Sequence, residues 1–192
     1  DKLFIGGGVG FTTLRFESDK NYSEDFSGDP LYNLNLNETI SIRGSGINVT
    51  GGLIYRPIEN IQLGISYTTP TAYKFTDTYN ASMNSRWNNW DYYQDESKIL
   101  TNESESTDEI VSEYDLRTPS HLNIGASMFF QKYGFLSADV EVVNYGGAKY
   151  SSNVSGISYQ SDNDKIKSLY QSTINYRVGG EFRYESYRIR AG

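Results

Sequence analysis

Apolar and polar residues alternate along most of this chain. From Ile61 the set Ile61, Leu63, Ile65, Tyr67 interleaves with Gln62, Gly64, Ser66, Thr68. Leu122, Ile124, Ala126, Met128 and Phe130 oppose His121, Asn123, Gly125 and Ser127 in the same way. Further on, Leu136, Ala138, Val140 and Val142 oppose Ser137, Asp139 and Glu141, and Ile174, Tyr176, Val178, Gly180 and Phe182 oppose Asn175, Arg177, Gly179, Glu181 and Arg183. Tyr187, Ile189 and Ala191 oppose Arg188 and Arg190. A side-chain period of two is that of a strand with unlike media on its two faces. The alternation predicts arms at 2–17, 39–56, 60–80, 114–131, 134–150, 169–184 and 186–192, with no helical period, so the predicted class is all-β.

The connections alternate in length: long at 18–38, 81–113 and 151–168, short at 57–59, 132–133 and 185. That rhythm predicts an antiparallel up-and-down barrel with tight turns on one rim and large loops on the other. A soluble sandwich mixes loop lengths and carries Greek-key connections. The arms also exceed the ~9–11 residues that cross a bilayer at a tilt. Aromatic residues cluster at both ends of the apolar stripes: Tyr55, Phe130, Tyr133, Phe135, Phe182, Tyr184 and Tyr187 by the short turns, and Tyr73, Phe75, Tyr79, Tyr145, Tyr150 and Tyr170 by the long links. Two such belts are expected where rings sit at the two lipid–water interfaces.

Composition sharpens this picture. A mean hydropathy of -0.58 and the absence of any long apolar run leave no helical span, but a barrel strand needs only every second residue apolar. Seventeen Tyr, 9 Phe and 18 Gly favour strands and turns. With no cysteine there is neither a disulfide framework nor a thiolate metal site. A net charge of -7 argues against nucleic acid as a partner.

The stretches "GLIYRPIENIQLGISYTTPT", "RTPSHLNIGASMFFQKYGFLSADVEVVNYGGAKY" and "YRVGGEFRYESYRIRAG" together resemble the FadL-type outer-membrane transport proteins, particularly the versions common in Bacteroidetes. The resemblance implies a fourteen-stranded transmembrane barrel, plugged by an N-terminal hatch, that passes long-chain fatty acids or other hydrophobic compounds. About seven of those strands fall within residues 1–192, which read as one partial barrel domain lacking the hatch and the closing C-terminal strands. It further implies a bacterial outer-membrane location with long loops extracellular and short turns periplasmic. The partners implied are outer-membrane lipid and lipopolysaccharide, a hydrophobic small-molecule substrate, and other envelope proteins or segments that complete the barrel.

The inward-facing set is Asp139, Glu141, Arg177, Glu181, Arg183, Arg188 and Arg190. Charges of both signs on adjacent strands form either a structural ladder across a polar interior or, through Arg177 or Arg183, a forked anchor for a passing carboxylate. Pro70 and Pro119 each remove a ladder donor and mark a bend, which is a strand leaving the membrane or a lateral gate in the wall. The 81–113 link joins Trp87, Trp90, Tyr92 and Tyr93 to an acidic run from Asp95 to Glu113, offering a capture surface or simple loop packing. His121 is the only histidine and has no catalytic motif around it, "SDND" at 161–164 lacks the spacing of a calcium loop, and "GGGVG" lacks the Lys-Ser/Thr of a phosphate loop. The expectation is a transporter acting by gated passive diffusion, not an enzyme, with neither cofactor nor metal. Its rivals are a soluble extracellular all-β binding or adhesion module and a barrel with a scaffold role in an envelope complex.

Overall fold

The computed structural model describes residues 1–192. The chain is all-β, with eleven strands in one antiparallel sheet and a single α-helix. The strands are β1 Leu3–Asp25, β2 Leu31–Ile58, β3 Ile61–Thr68, β4 Ala72–Asp91, β5 Ile99–Ser106, β6 Ile110–Arg117, β7 His121–Phe129, β8 Gly134–Asn144, β9 Lys149–Ser151, β10 Ser172–Tyr184 and β11 Tyr187–Ala191, and α1 is Gln160–Leu169. Consecutive pieces β3–β4, β5–β6–β7 and β8–β9 are single arms with interruptions, so the seven predicted arms are present. The pairing β11-β10-β8-β7-β3-β2, with β1 on β2, joins each arm to the next and does not close on itself.

Three expected links prove to be largely regular structure. Residues 18–38 belong mostly to β1 and β2, and 81–113 to β4, β5 and β6, leaving 26–30 and 92–98 as connections and 107–109 as a break between β5 and β6. The 151–168 link carries α1, where no helix was expected. Its segment QSDNDKIKSL buries none of its residues, so it has no apolar stripe for a periodicity argument to find. Long and short connections nevertheless still alternate.

The alternation predicts only the parts of β1 and β2 at 2–17 and 39–56, and their outer parts lie outside it because the faces of both strands exchange character. On β1, odd positions are apolar at Leu3, Ile5, Val9 and Phe11 and polar from Thr13 through Arg15, Glu17, Asp19 and Asn21. On β2, odd positions run Asn33, Asn35, Asn37, Thr39, Arg43, then Ile47, Val49, Leu53, Tyr55. The even positions do the reverse, with Leu34, Leu36, Ile40 and Ile42 followed by Asn48, Thr50 and Gly52. Successive side chains point to opposite faces of a strand, so such an exchange marks a change in the medium that one face meets. It falls at Thr12/Thr13 and Gly44/Ser45, which also bound two compact units.

The first unit comprises Asp1–Thr12, Ser45–Lys74 and Tyr114–Gly192. Its register aligns the apolar residues of five strands into rows: Leu53–Ile65–Ile124–Val140–Tyr176 and Tyr55–Leu63–Ala126–Ala138–Val178. These rows are largely exposed, up to 70% at Val178 and 73% at Tyr176. The unit carries twelve Lys/Arg and nine Asp/Glu.

The second unit, Thr13–Gly44 and Phe75–Glu113, carries five Lys/Arg against fifteen Asp/Glu, a net charge of -10 that the chain total conceals. Its buried apolar side chains are Phe75, Ala81 and Leu100. Outer polar positions pair across strands, with Asn21 donating to Asn37 at 2.5 Å and Thr39 to Asp19 at 2.9 Å. The Tyr79 hydroxyl donates to Glu38 at 2.9 Å, and this bond, with partial burial and the nearby negative charge, pushes the phenol above its ordinary range. Asp95 is held below the usual carboxylate range by the hydroxyl and amide of Ser97.

Only four apolar side chains in the chain are buried, the fourth being Val143. The accessible surface is 14101 Å², against about 9,200 Å² expected for a compact monomer of this mass. Much apolar surface therefore remains uncovered by the protein itself.

Candidate functional site

The face opposite the apolar rows is polar because the same register aligns the alternate residues. One row is Gly52–Ser66–Asn123–Glu141–Asn175 and the next Ile54–Gly64–Gly125–Asp139–Arg177. Arg177 lies directly across from Asp139 and one pair along from Glu141. Its guanidinium donates to Asp139 Oδ1 at 3.0 Å and to Glu141 Oε2 at 2.7 Å. Asn175 also donates to Glu141 Oε2, at 3.2 Å, and His121 Nδ1 lies 3.1 Å from Glu141 Oε1. All seven predicted charged residues share this face, but they fall into two groups.

The second group centres on Glu181, which is 5% exposed and accepts from Nε of both Arg183 and Arg190. Arg188 lies directly opposite Arg183 in the register and makes no ion pair. This end of the face is net positive. The Arg177 group, with two carboxylates and one guanidinium, is net negative. Both arginines singled out as carboxylate anchors, Arg177 and Arg183, are engaged with carboxylates of the protein, Arg177 across strands and Arg183 within its own.

Between β1 and β8 the polar face holds a hollow of about 760 Å³. Its floor is built from Gly6, Gly64 and Gly125, its apolar wall from Phe4 and Ile54, and its polar side includes Asp139. Gly64 and Gly125 are direct partners, so no side chain rises from either strand there. The Arg56 guanidinium lies over the Phe4 ring, 4.7 Å from its centroid. Alternation puts Gly64 and Gly125 on the polar face, but their convergence with Gly6 needs the register of the strands.

The interruptions also converge. Thr69–Thr71 in one arm lies beside Thr118–Ser120 in the next, placing Pro70 and Pro119 in adjacent arms at one level, and the short 3-10 turn Tyr145–Gly147 interrupts the third arm. Threonine hydroxyls take over as acceptors where the ladder is broken. The Thr71 amide donates to Thr118 Oγ1 at 2.9 Å, the Thr118 amide to the Thr71 carbonyl at 3.0 Å, and Asn48 to Thr71 Oγ1 at 2.9 Å. Thr71 is 9% exposed. Replacing Thr118 by Val leaves the Thr71 amide without its hydroxyl acceptor, which is expected to cost about 1–3 kcal/mol, read as a lower unfolding midpoint. Helix α1 packs on the 3-10 turn and β9, where the Asn163 amide bonds both the N–H and the C=O of Tyr150 at 2.8 Å.

The aromatic belts hold only in part. Tyr55, Phe182, Tyr184 and Tyr187 are exposed, as are Tyr145 and Tyr170. Phe135, however, lies on the polar face opposite Phe129 and Glu181, because only even positions of β8 point to the apolar side. Tyr73 packs over Gly46, whose added Cβ would sit 2.7 Å from the ring, and Phe75 is buried. The break at Pro70 shifts the alternation by one residue and turns this aromatic pair inward. In the other predicted cluster, Trp87 and Trp90 lie on β4 and stack at 5.2 Å, with Tyr92 edge-on to Trp90 and Tyr93 edge-on to Tyr92, so these rings pack chiefly on one another.

No family model, curated protein or solved structure matches this chain.

Proposed function

We propose that the chain forms part of an outer-membrane up-and-down β-barrel of the FadL type, fourteen-stranded when complete, that conducts hydrophobic molecules by gated passive diffusion without chemistry. The observation that carries this reading is the exchange of faces on β1 and β2. Apolar residues occupy one face of both strands up to Thr12 and down to Ser45, and polar or charged ones occupy it beyond, as expected where a barrel wall leaves lipid for water. The apolar band on β10 from Ile174 to Phe182 spans nine residues, the length of a tilted crossing of roughly 9–11 residues. Lipid would cover the rows that the protein leaves bare. The long connections would then lie outside the cell and the short turns in the periplasm, and the aligned breaks at Pro70 and Pro119 would provide the lateral exit. Long-chain fatty acids are the cargo implied by the resemblance, and other hydrophobic compounds fit the same path.

Two measurements test this. Full-length protein is expected to require detergent for extraction and to migrate faster on a gel unheated than heated; ready solubility without detergent would favour the extracellular adhesion module instead. Proteoliposomes holding the folded protein are expected to take up a labelled long-chain alcohol or the matching fatty acid faster than empty ones. Uptake of neither would point to a scaffold role.

A further inference from the structure

Four glycines on the polar face have no local reason to be glycine. None has a left-handed φ. A Cβ added at Gly6 or Gly8 would meet nothing within 4 Å, one at Gly64 nothing closer than 3.9 Å, and one at Gly125 nothing closer than 3.4 Å. Gly52 differs, because its Cβ would meet the Ile65 carbonyl and the Ser66 Cβ at 3.0 Å. Glycine in a strand interior costs about 0.5–1 kcal/mol relative to Ala. The free space above these four positions, and not backbone crowding, therefore accounts for their small size. All four line the 760 Å³ hollow, a volume within the range of about 300–1,000 Å³ typical of small-molecule sites.

We propose that this hollow binds a flat apolar molecule carrying an uncharged or cationic hydrogen-bond-donating group, in preference to a carboxylate. The glycine floor admits a planar body that Phe4 and Ile54 flank on the apolar side. Ser66 and Asn123 on the polar side are half-buried and their side chains make no hydrogen bond within the protein, so both side chains are available to a ligand's hydroxyl or amine. Asp139 is the only charged residue lining the hollow. Its counter-ion Arg177 is shared with Glu141, and Arg56 stacks on the Phe4 ring without lining the space. A carboxylate entering here meets Asp139 with no free cation beside it, whereas an ammonium meets an acceptor. The inference rests on the transport reading for how a ligand reaches this face, so binding to the purified protein is measured apart from uptake.

The experiment uses full-length protein in detergent and three probes with one skeleton: 2-naphthylethylamine, 2-naphthaleneethanol and 2-naphthylacetate, followed by naphthalene fluorescence. Amine and alcohol are expected to bind, and the acid roughly tenfold more weakly at least. Gly64→Leu and, as a second variant, Gly6→Leu are expected to abolish binding while keeping the heat-modifiable gel band, since each new side chain has room at its base. Asp139→Asn is expected to remove the advantage of the amine over the alcohol. Equal binding of all three probes, or binding unchanged in both folded leucine variants, overturns the proposal. Uptake that persists in either of those cases shows the transport reading surviving the loss of this site.

Discussion

A lysine in place of Val178 is expected to destabilise the folded protein in lipid vesicles by about 2–4 kcal/mol, the cost of a basic side chain on the lipid face near the bilayer midplane. Val178 is 70% exposed and lies midway between Ile174 and Phe182 on β10. At so open a site in a soluble sheet the same change would fall within about 0.5 kcal/mol of neutral. Urea unfolding of full-length protein in vesicles reads the difference, with Ser127→Lys on the polar face as the control. An equal, small effect at both positions would remove the bilayer from the account. The comparison tests the medium, because neither side chain makes a hydrogen bond or ion pair that the substitution would break.

Gly134→Ala is the second large effect. Gly134 opens β8 with φ +135°, opposite Phe182, and a Cβ there would sit 1.8 Å from the Glu181 carbonyl oxygen. A backbone atom cannot step aside as a flexible side chain can, so β8 and β10 must separate at that rung or the turn from Phe130 must refold. The expected cost is about 3 kcal/mol or more, combining left-handed strain with the lost pairing. Gly64→Ala gives the opposite sign, a gain of about 0.4–1 kcal/mol from a less flexible unfolded chain, since its Cβ meets nothing closer than 3.9 Å. Unfolding midpoints of the two variants side by side decide this; a loss at Gly64 as large as that at Gly134 would mean that the strand geometry around the hollow has been misread.

The arms β3, β7, β8, β10 and β11 were legible from alternation alone, because each presents one apolar face along its whole length. Their antiparallel order followed from the rhythm of the connections. The outer halves of β1, β2 and β4 were not legible by that test, since their apolar positions move to the other face and their polar residues read as loop. β5, with the sequence ILTNESES, is a strand through its pairing with β4 and not through any pattern of its own. Likewise α1 is seated by Asn163 on the Tyr150 backbone, a contact invisible along the chain.

For the site, alternation placed Asp139, Glu141, Arg177, Glu181, Arg183, Arg188 and Arg190 on one polar face, and the structure keeps them there. Which of them remain free is a matter of register. Asp139 falls opposite Arg177, and Glu181 accepts from Arg183 two residues along its own strand as well as from Arg190 opposite it, so both candidate anchors are paired and Arg188 is left facing Arg183. Within each unbroken arm of constant character the sequence by itself determined which side chains share a face, because a strand's period of two is a local property of the backbone. Only the tertiary structure decided which residues meet across strands, and with them the glycine floor, the aligned breaks and the paired charges, because cross-strand register depends on turns and bulges that no single strand encodes.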